Sequence, residues 1–360
     1  MATDPTMLNL NEYLTAMLSL PGIPGNEAPV RDMLARVWSP FVDEVSSSRL
    51  GSLHAIKHGG GAEPRRRVMV TAHMDGVGMM VTEIIDGFIR FTDVGSLDAR
   101  VLPGQEVTVH GRRDVPGVIV DPGERLLPAD LDGRAAPMRY LFIDTGLTPD
   151  ALTAAVQVGD PISYALQPLA LDGDWLLGHT LDNRASLAAI SICLEQLRDV
   201  PHDWDVWCVA TVQEETTHAG AMTSAYTIQP DMAIVLDVTY GRTGENHDPS
   251  TFPLGEGPTL GIGPNIHPVL HQRFKRLAGD LEIPYQIEVL PGNSLTDAHA
   301  LQVVAGGIPC MVIGIPLLNM HTPVEVAAVK DIQQTGYLVA RWIEALGKNI
   351  VEPLLAEEPA

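Results

Sequence analysis

Several features are scarce in this sequence, and each scarcity excludes a class of protein. Aromatic residues make up only 5% of the chain, which leaves little material for a surface that stacks on sugars or bases. Basic residues number 23 against 45 acidic ones, which gives a formal net charge of −22. Such a chain repels phosphate backbones and anionic lipids, so we expect neither nucleic-acid nor membrane partners. No apolar run reaches the roughly 18 residues that a membrane-spanning helix requires.

Cysteine is also scarce, with three residues in the 360-residue chain. Cys193, Cys208 and Cys310 each lie in an apolar run, and no two of them have CxxC spacing. This pattern indicates buried free thiols rather than a disulfide framework or a zinc site. The first residues lack the basic and continuously apolar segments typical of a signal peptide. We therefore expect a cytoplasmic protein.

The pattern of apolar residues divides the chain into two kinds of region. Segment 77–168 consists of short β-prone runs separated by Gly, Asp and Pro, which predicts a small inserted β-barrel-like domain. After residue 169, apolar strands alternate with helical stripes, including a long closing helix that starts at Thr322. This alternation predicts an α/β fold, with a doubly wound mixed sheet and helices on both faces. Segments 1–76 and 169–360 would then form one discontinuous catalytic domain.

Acidic residues and histidines follow four apolar strands, and one more acidic residue lies at a predicted helix start. They are His73 and Asp75 in TAHMDG, Glu214 and Glu215 in VQEETT, Asp237 in AIVLDV, His321 in NMHTP, and Asp182 in TLDNRA. Each alone is explained by a turn, and Asp182 by a helix N-cap. Together they predict one site, because the carboxyl ends of parallel strands meet at the same edge of a sheet. Such a donor set suits divalent zinc, cobalt or manganese.

Other catalytic motifs are missing from the sequence, which contains no GxSxG, GxxxxGK[ST] or HExxH. Two other readings remain open. The paired carboxylates could serve a metal-independent glycoside hydrolase. Alternatively, the chain could be a catalytically silent assembly protein.

Taken in order, the motifs resemble those of the glutamyl aminopeptidase family, also called tetrahedral (TET) aminopeptidases. Some members of this family carry a cellulase-M or endoglucanase label. The resemblance covers nearly the whole chain, through AHMDGVGMMV, DNR, QEE followed by GA, DVT, GIGPNIHP, LTDAHALQ and HTPVEV. Each motif is weak alone, but the ordered set is specific.

The resemblance implies a zinc-exopeptidase-like fold, two divalent ions (Zn, Co or Mn) and a role for each site residue. One ion would be held by His73, Asp182 and Asp237, and the other by Asp182, Glu215 and His321. Glu214 would be the general base, and Asp75 would orient His73. The substrate would be short peptides that lose their N-terminal residue.

The resemblance also implies an assembly and a substrate pocket. The inserted domain would form dimers, which would assemble further into a dodecamer. The family pattern places Thr296 and Asp297 near the pocket, and we add His218, which is close to the Glu214–Glu215 pair, and Ile266 as further pocket candidates. Relatives commonly read QEEVGLRGA and GGTDA, where this chain reads QEETTHAGA and NSLTDA, so the departures fall on pocket loops. The acidic surface disfavours acidic peptides, so we do not expect a strict Glu/Asp preference.

Overall fold

A large mixed sheet and a small closed barrel organise the chain in a computed structural model. The model describes residues 9–123, 127–128, 131, 134–244 and 248–347. The predicted fold class, a mixed α/β sheet with an additional small all-β unit, is confirmed. Among the described residues, no helix is both long and apolar enough to span a membrane.

The large sheet has twelve strands among the described residues. They are β1 (Glu44–Ser47), β2 (Leu53–Lys57), β3 (Arg67–His73), β10 (Leu169–Leu171), β11 (Trp175–Gly178), β12 (Asp205–Thr211), β13 (Met232–Arg242), β14 (Phe252–Pro253), β15 (Thr259–Ile262), β16 (Gln286–Val289), β17 (Cys310–Leu318) and β18 (Glu325–Ala328). Nine of them form a continuous path in the order β1-β2-β12-β3-β13-β17-β18-β11-β10. In addition, β14 pairs with β13, β15 pairs with β17, and β16 pairs with β15.

The centre of this sheet is parallel: β12, β3, β13 and β17 run side by side in the same direction. These four strands are apolar along most of their length because both faces of the sheet are covered there. Their carboxyl ends therefore meet at one edge, as the sequence predicted. The three cysteines are buried and free, also as predicted.

Two groups of helices cover the sheet. α4 contacts α1 and α9, whereas α6 contacts α8. The close approach of α9 to α4 depends on Gly336, because a Cβ there would lie 2.5 Å from the carbonyl oxygen of Ala189. The helices are α1 (Leu10–Leu18), α2 (Ala28–Trp38), α3 (Pro149–Ala155), α4 (Leu181–Gln196), α5 (Glu214–Thr217), α6 (Ala219–Ile228), α7 (Pro268–Asp280), α8 (Asp297–Leu301) and α9 (Val329–Glu344).

Six strands close the barrel in the order β4-β5-β8-β7-β6-β9. They are β4 (Gly78–Ile85), β5 (Phe88–Val94), β6 (Glu106–His110), β7 (Asp114–Val120), β8 (Phe142–Asp144) and β9 (Pro161–Tyr164). All of them lie within the predicted insertion 77–168. Asp86 and Gly87 join β4 to β5 with φ of 50° and 88°, values that suit the two-residue turn of a hairpin.

Two element boundaries differ from the sequence prediction. The closing helix begins at Val329 rather than Thr322, because residues 325–328 pair with both β17 and β11 as strand β18. Sheet pairing thus outweighs the helix propensity of this alanine-containing segment. Asp237 lies inside β13 rather than at its end, since pairing with β17 continues as far as Tyr240.

Candidate metal centre

The carboxyl edge of the parallel strands brings the predicted site residues together. His73 is the last residue of β3, and Glu214 begins α5, three residues after the end of β12. Asp237 points from β13, while His321 lies between β17 and β18. Asp182 completes the cluster from the first turn of α4, where its backbone φ and ψ are not helical. Its carboxylate contacts histidines instead of capping the helix, in contrast to the simpler N-cap reading.

Asp182 occupies the middle of the cluster. One carboxylate oxygen, Oδ1, lies 3.2 Å from His73 Nε2, and the other, Oδ2, lies 3.2 Å from His321 Nε2. His73 Nε2 is also 3.7 Å from Asp237 Oδ1, and His321 Nε2 is 3.3 Å from Glu215 Oε2. Two donor sets therefore share this one carboxylate.

The spacing of the donor atoms suits metal ions. A tetrahedral ion about 2.1 Å from each nitrogen or oxygen separates its ligand atoms by roughly 3.4 Å. The four contacts through Asp182 and the two histidines span 3.2–3.7 Å, close to that value. Ligand atoms of His73, Asp182 and Glu215 also all lie within 4.8 Å of one another.

Burial makes the charge of this cluster costly without cations. Burial raises the pKa of Glu214 to about 8 and that of Asp237 to about 6, although contact with His73 opposes both shifts. Burial also acts to raise the pKa of Asp182, but its contacts with His321 and His73 outweigh burial and lower that pKa. Buried Glu215 Oε1 has no hydrogen-bond partner among the described residues. Divalent cations would supply the missing positive charge and a partner for that oxygen, so the residues fit a metal centre.

Asp75 supports the cluster in a way that the sequence did not predict. Its fully buried carboxylate accepts hydrogen bonds from the backbone N–H groups of Glu214 (3.1 Å) and Glu215 (3.0 Å). The ring of His73 is bound instead by the backbone carbonyl of Asp75, which lies 2.8 Å from Nδ1. The carboxylate itself is 3.9 Å from that nitrogen. Asp75 thus orients His73 through its carbonyl and fixes the Glu214–Glu215 backbone through its carboxylate.

Glu325 is a second support, and sequence reasoning missed it. Its buried carboxylate accepts hydrogen bonds from the backbone N–H of Asp182 (3.1 Å) and of His321 (2.9 Å). It therefore ties two ligand-bearing segments together. The only sequence signal is a glutamate four residues after His321 in HTPVEV, where the pattern predicts the closing helix.

The four residues predicted to line a substrate pocket fall into two groups. His218 Nδ1 lies 3.1 Å from Glu214 Oε1 and 3.4 Å from Asp297 Oδ1, so both residues border the cluster. Thr296 caps α8 through its hydroxyl, and Ile266 is packed in the hydrophobic core. A pocket role for these last two stays a prediction.

The fold and the site together define a class of protein. The class has a doubly wound α/β sheet with a buried group of histidines and carboxylates, able to hold metal ions, at the carboxyl edge of its parallel strands. Comparison with known families then identifies the family within this class. Residues 51–338 match the family model described as M42 glutamyl aminopeptidase. The chain belongs to the M42 glutamyl aminopeptidase family, as the sequence motifs suggested.

Individual relatives agree with this assignment. The chain is 31% identical to the lysyl aminopeptidase of Pyrococcus furiosus over 342 residues, covering 93% of this chain and 97% of that protein. Its fold matches the crystal structure of a TET aminopeptidase from Thaumarchaeota archaeon SCGC AB-539-E09 with a TM-score of 0.89 and 29% identity, covering 96% and 98% of the two chains. It also matches the Pyrococcus horikoshii TET1 peptidase, which can assemble into a tetrahedron or a large octahedral shell. That match has a TM-score of 0.81 and 26% identity, and covers 94% of this chain and all of that one.

Proposed function

We propose that this protein is a dinuclear-metal aminopeptidase that removes N-terminal residues from short peptides. The observation that carries the proposal is the position of Asp182, whose two carboxylate oxygens each lie 3.2 Å from a different histidine. With one oxygen toward each histidine, Asp182 could serve as a ligand to both of two bound cations. Membership of the M42 family supports the peptidase chemistry.

The ligands divide into two sets around that shared carboxylate. His73 and Asp237 join Asp182 in one set, and Glu215 and His321 join it in the other. The donors are imidazole nitrogens and carboxylate oxygens, which suit zinc, cobalt or manganese. When bound, the ions supply Lewis acidity, which activates a peptide carbonyl and acidifies a water molecule.

Glu214 is the general base of the proposal. One of its oxygens, Oε2, faces the cluster at 3.8 Å from His73 Nε2, while the other contacts His218. From this position the carboxylate accepts a proton from the attacking water. It then donates that proton to the leaving amine nitrogen as the peptide C–N bond breaks.

Substitution Glu214→Gln tests this role directly. The amide keeps the volume of the side chain but cannot accept a proton, so turnover of aminoacyl p-nitroanilides should fall at least ~100-fold. Because Glu214 is not a proposed ligand, metal content should match that of the wild type. Full activity in this variant would show that the base is assigned wrongly. Loss of metal together with activity would show that Glu214 is a ligand.

We also propose that the barrel, as the separate unit 77–168, forms homodimers that build a larger assembly such as a dodecamer. Support comes from partly exposed apolar side chains on the barrel: Ile85 (39% exposed) and Phe88 (40%), which are cross-strand partners in β4 and β5, and Val118 (39%) on β7. Contiguous exposed apolar surface commonly marks a protein–protein contact. The related TET1 peptidase can assemble into a tetrahedron or a large octahedral shell, which supports a larger assembly for this chain.

The compartment we propose is the cytoplasm. Its reducing conditions match the three buried cysteines, which are all free.

A further inference from the structure

His218 lies between two carboxylates beside the cluster. Its Nδ1 is 3.1 Å from Glu214 Oε1 and 3.4 Å from Asp297 Oδ1, and it points directly at neither oxygen. These contacts are therefore ion-pair contacts rather than a single directed hydrogen bond. The other oxygen of Asp297 accepts a hydrogen bond of 2.7 Å from Thr211 Oγ1, at the end of β12. A continuous set of contacts thus runs from the sheet to Glu214.

The position of His218 affects Glu214 in two ways. First, the His218 ring contacts Glu214 Oε1, while Glu214 Oε2 faces the cluster at 3.8 Å from His73 Nε2. The terminal torsion of a glutamate is broad, so a partner on one oxygen restricts the rotation of the whole carboxylate. Second, it places a ring nitrogen 3.1 Å from a buried carboxylate that has little access to water.

The charge of His218 is consistent with this function. Its contacts with Asp297 and Glu214 raise its pKa to about 10, so the ring is positively charged at neutral pH. Asp297 is only 1% exposed and is fixed by Thr211, which makes it a rigid support on the far side of the ring.

We propose that His218 is a positioning residue, supported by Asp297, that holds the Glu214 carboxylate in place toward the metal cluster. This inference rests on the proposed function, because it assumes that Glu214 is the base. His218 itself touches no proposed metal ligand in the described contacts, and it acts through Glu214.

The test uses a substitution that leaves the backbone unstrained. His218 has φ of 52°, in the left-handed region, so His218→Gly removes the side chain without a steric cost. The matched control is Gln229→Gly, at the other end of α6, where the exposed glutamine has φ of 51°. Loss of a contact to a charged group predicts a fall in kcat of about 10- to 100-fold for His218→Gly, with little change in KM. The control should keep wild-type kcat.

Rescue by a conservative variant separates positioning from general damage. Asparagine tolerates the left-handed region and places an amide nitrogen near the position of Nδ1. His218→Asn should therefore recover part of the lost kcat. If His218→Gly keeps wild-type kcat, or if KM rises while kcat is unchanged, the inference is overturned.

A readout other than activity checks the contact itself. In a double-mutant cycle on the metal-loaded protein, His218→Gly should lower the melting temperature less in a Glu214→Gln background than in the wild type. Metal content should be unchanged in each variant. Additive shifts would show that the two side chains are not coupled, which contradicts the inference. A wild-type protein without aminopeptidase activity would instead refute the proposed function.

Discussion

Asp75→Asn perturbs the site without replacing any proposed metal ligand. The Asp75 carboxylate accepts one backbone N–H with each oxygen, from Glu214 and from Glu215. Asparagine keeps one acceptor but presents an NH₂ group to the second N–H, so that donor loses its partner inside a buried site. The hydrogen bond of His73 to the backbone carbonyl of residue 75 is retained.

The size of the effect follows from the bond that is lost. A hydrogen bond to a charged group contributes about 1.5–3 kcal/mol, which corresponds to roughly a 10- to 150-fold change in an equilibrium or a rate. Groups that support metal ligands typically alter metal affinity or activity by about 10- to 100-fold. We therefore expect Asp75→Asn to weaken metal binding by about 10- to 100-fold and to lower kcat/KM at saturating metal.

The assay is a competition titration against a chromogenic chelator, followed by kinetics with excess metal. Asp331→Asn is the matched control, because this buried carboxylate likewise accepts two backbone N–H groups, from Gly255 (2.7 Å) and Gly257 (2.8 Å). The control should lose comparable stability and keep wild-type metal affinity. Wild-type affinity and activity in Asp75→Asn would refute the reasoning, as would equal losses of affinity in both variants.

Two further predictions concern the assembly and the dependence of stability on pH. Phe88→Asp should reduce the assembly mass measured by light scattering. The control Val158→Asp changes an exposed valine elsewhere on the barrel unit and should leave the mass unchanged. An unchanged mass for Phe88→Asp would contradict the proposed dimer surface. Burial, together with nearby Arg184, lowers the pKa of His179 to about 3. Below pH ~6.5 the unfolded chain binds a proton at this ring that the folded chain does not bind, so the free energy of unfolding falls as the pH drops from ~6.5 toward 3. Between pH ~7.5 and ~5.5, urea unfolding should show the wild type losing about 1.4 kcal/mol more than His179→Gln, and equal losses would contradict that shift.

The residue types of the candidate centre could be predicted from the sequence because each one follows a local pattern. His73 ends an apolar strand, the Glu214–Glu215 pair follows shortly after another, and these parallel strands end at one edge of the sheet. The barrel could be predicted for a similar reason, since short β-prone runs punctuated by Gly, Asp and Pro are local features. Neither prediction required knowledge of which strands pair.

The supports of the centre could not be predicted, because they depend on contacts between distant segments. Glu325 reaches Asp182 across 143 residues, through a strand that forms only when β17 and β11 lie on either side of it. Its sequence, EVAAVKD, contains the helix formers Glu, Ala and Lys, and tertiary pairing decides against a helix there. The family resemblance likewise implies that Asp75 orients His73, whereas its carboxylate oxygens accept hydrogen bonds from the first residues of α5, about 140 residues away.

Metal dependence of peptide hydrolysis is the most direct test of the whole account. Metal-depleted protein is titrated with Zn²⁺, Co²⁺ or Mn²⁺ while bound metal and the hydrolysis of a panel of aminoacyl p-nitroanilides are followed together, with a glucan substrate in parallel. We predict that activity is absent without metal, rises to its maximum as two ions bind per chain, and is confined to the aminoacyl substrates. Peptidase activity that persists without metal, or glucan hydrolysis that survives metal removal, would contradict the account.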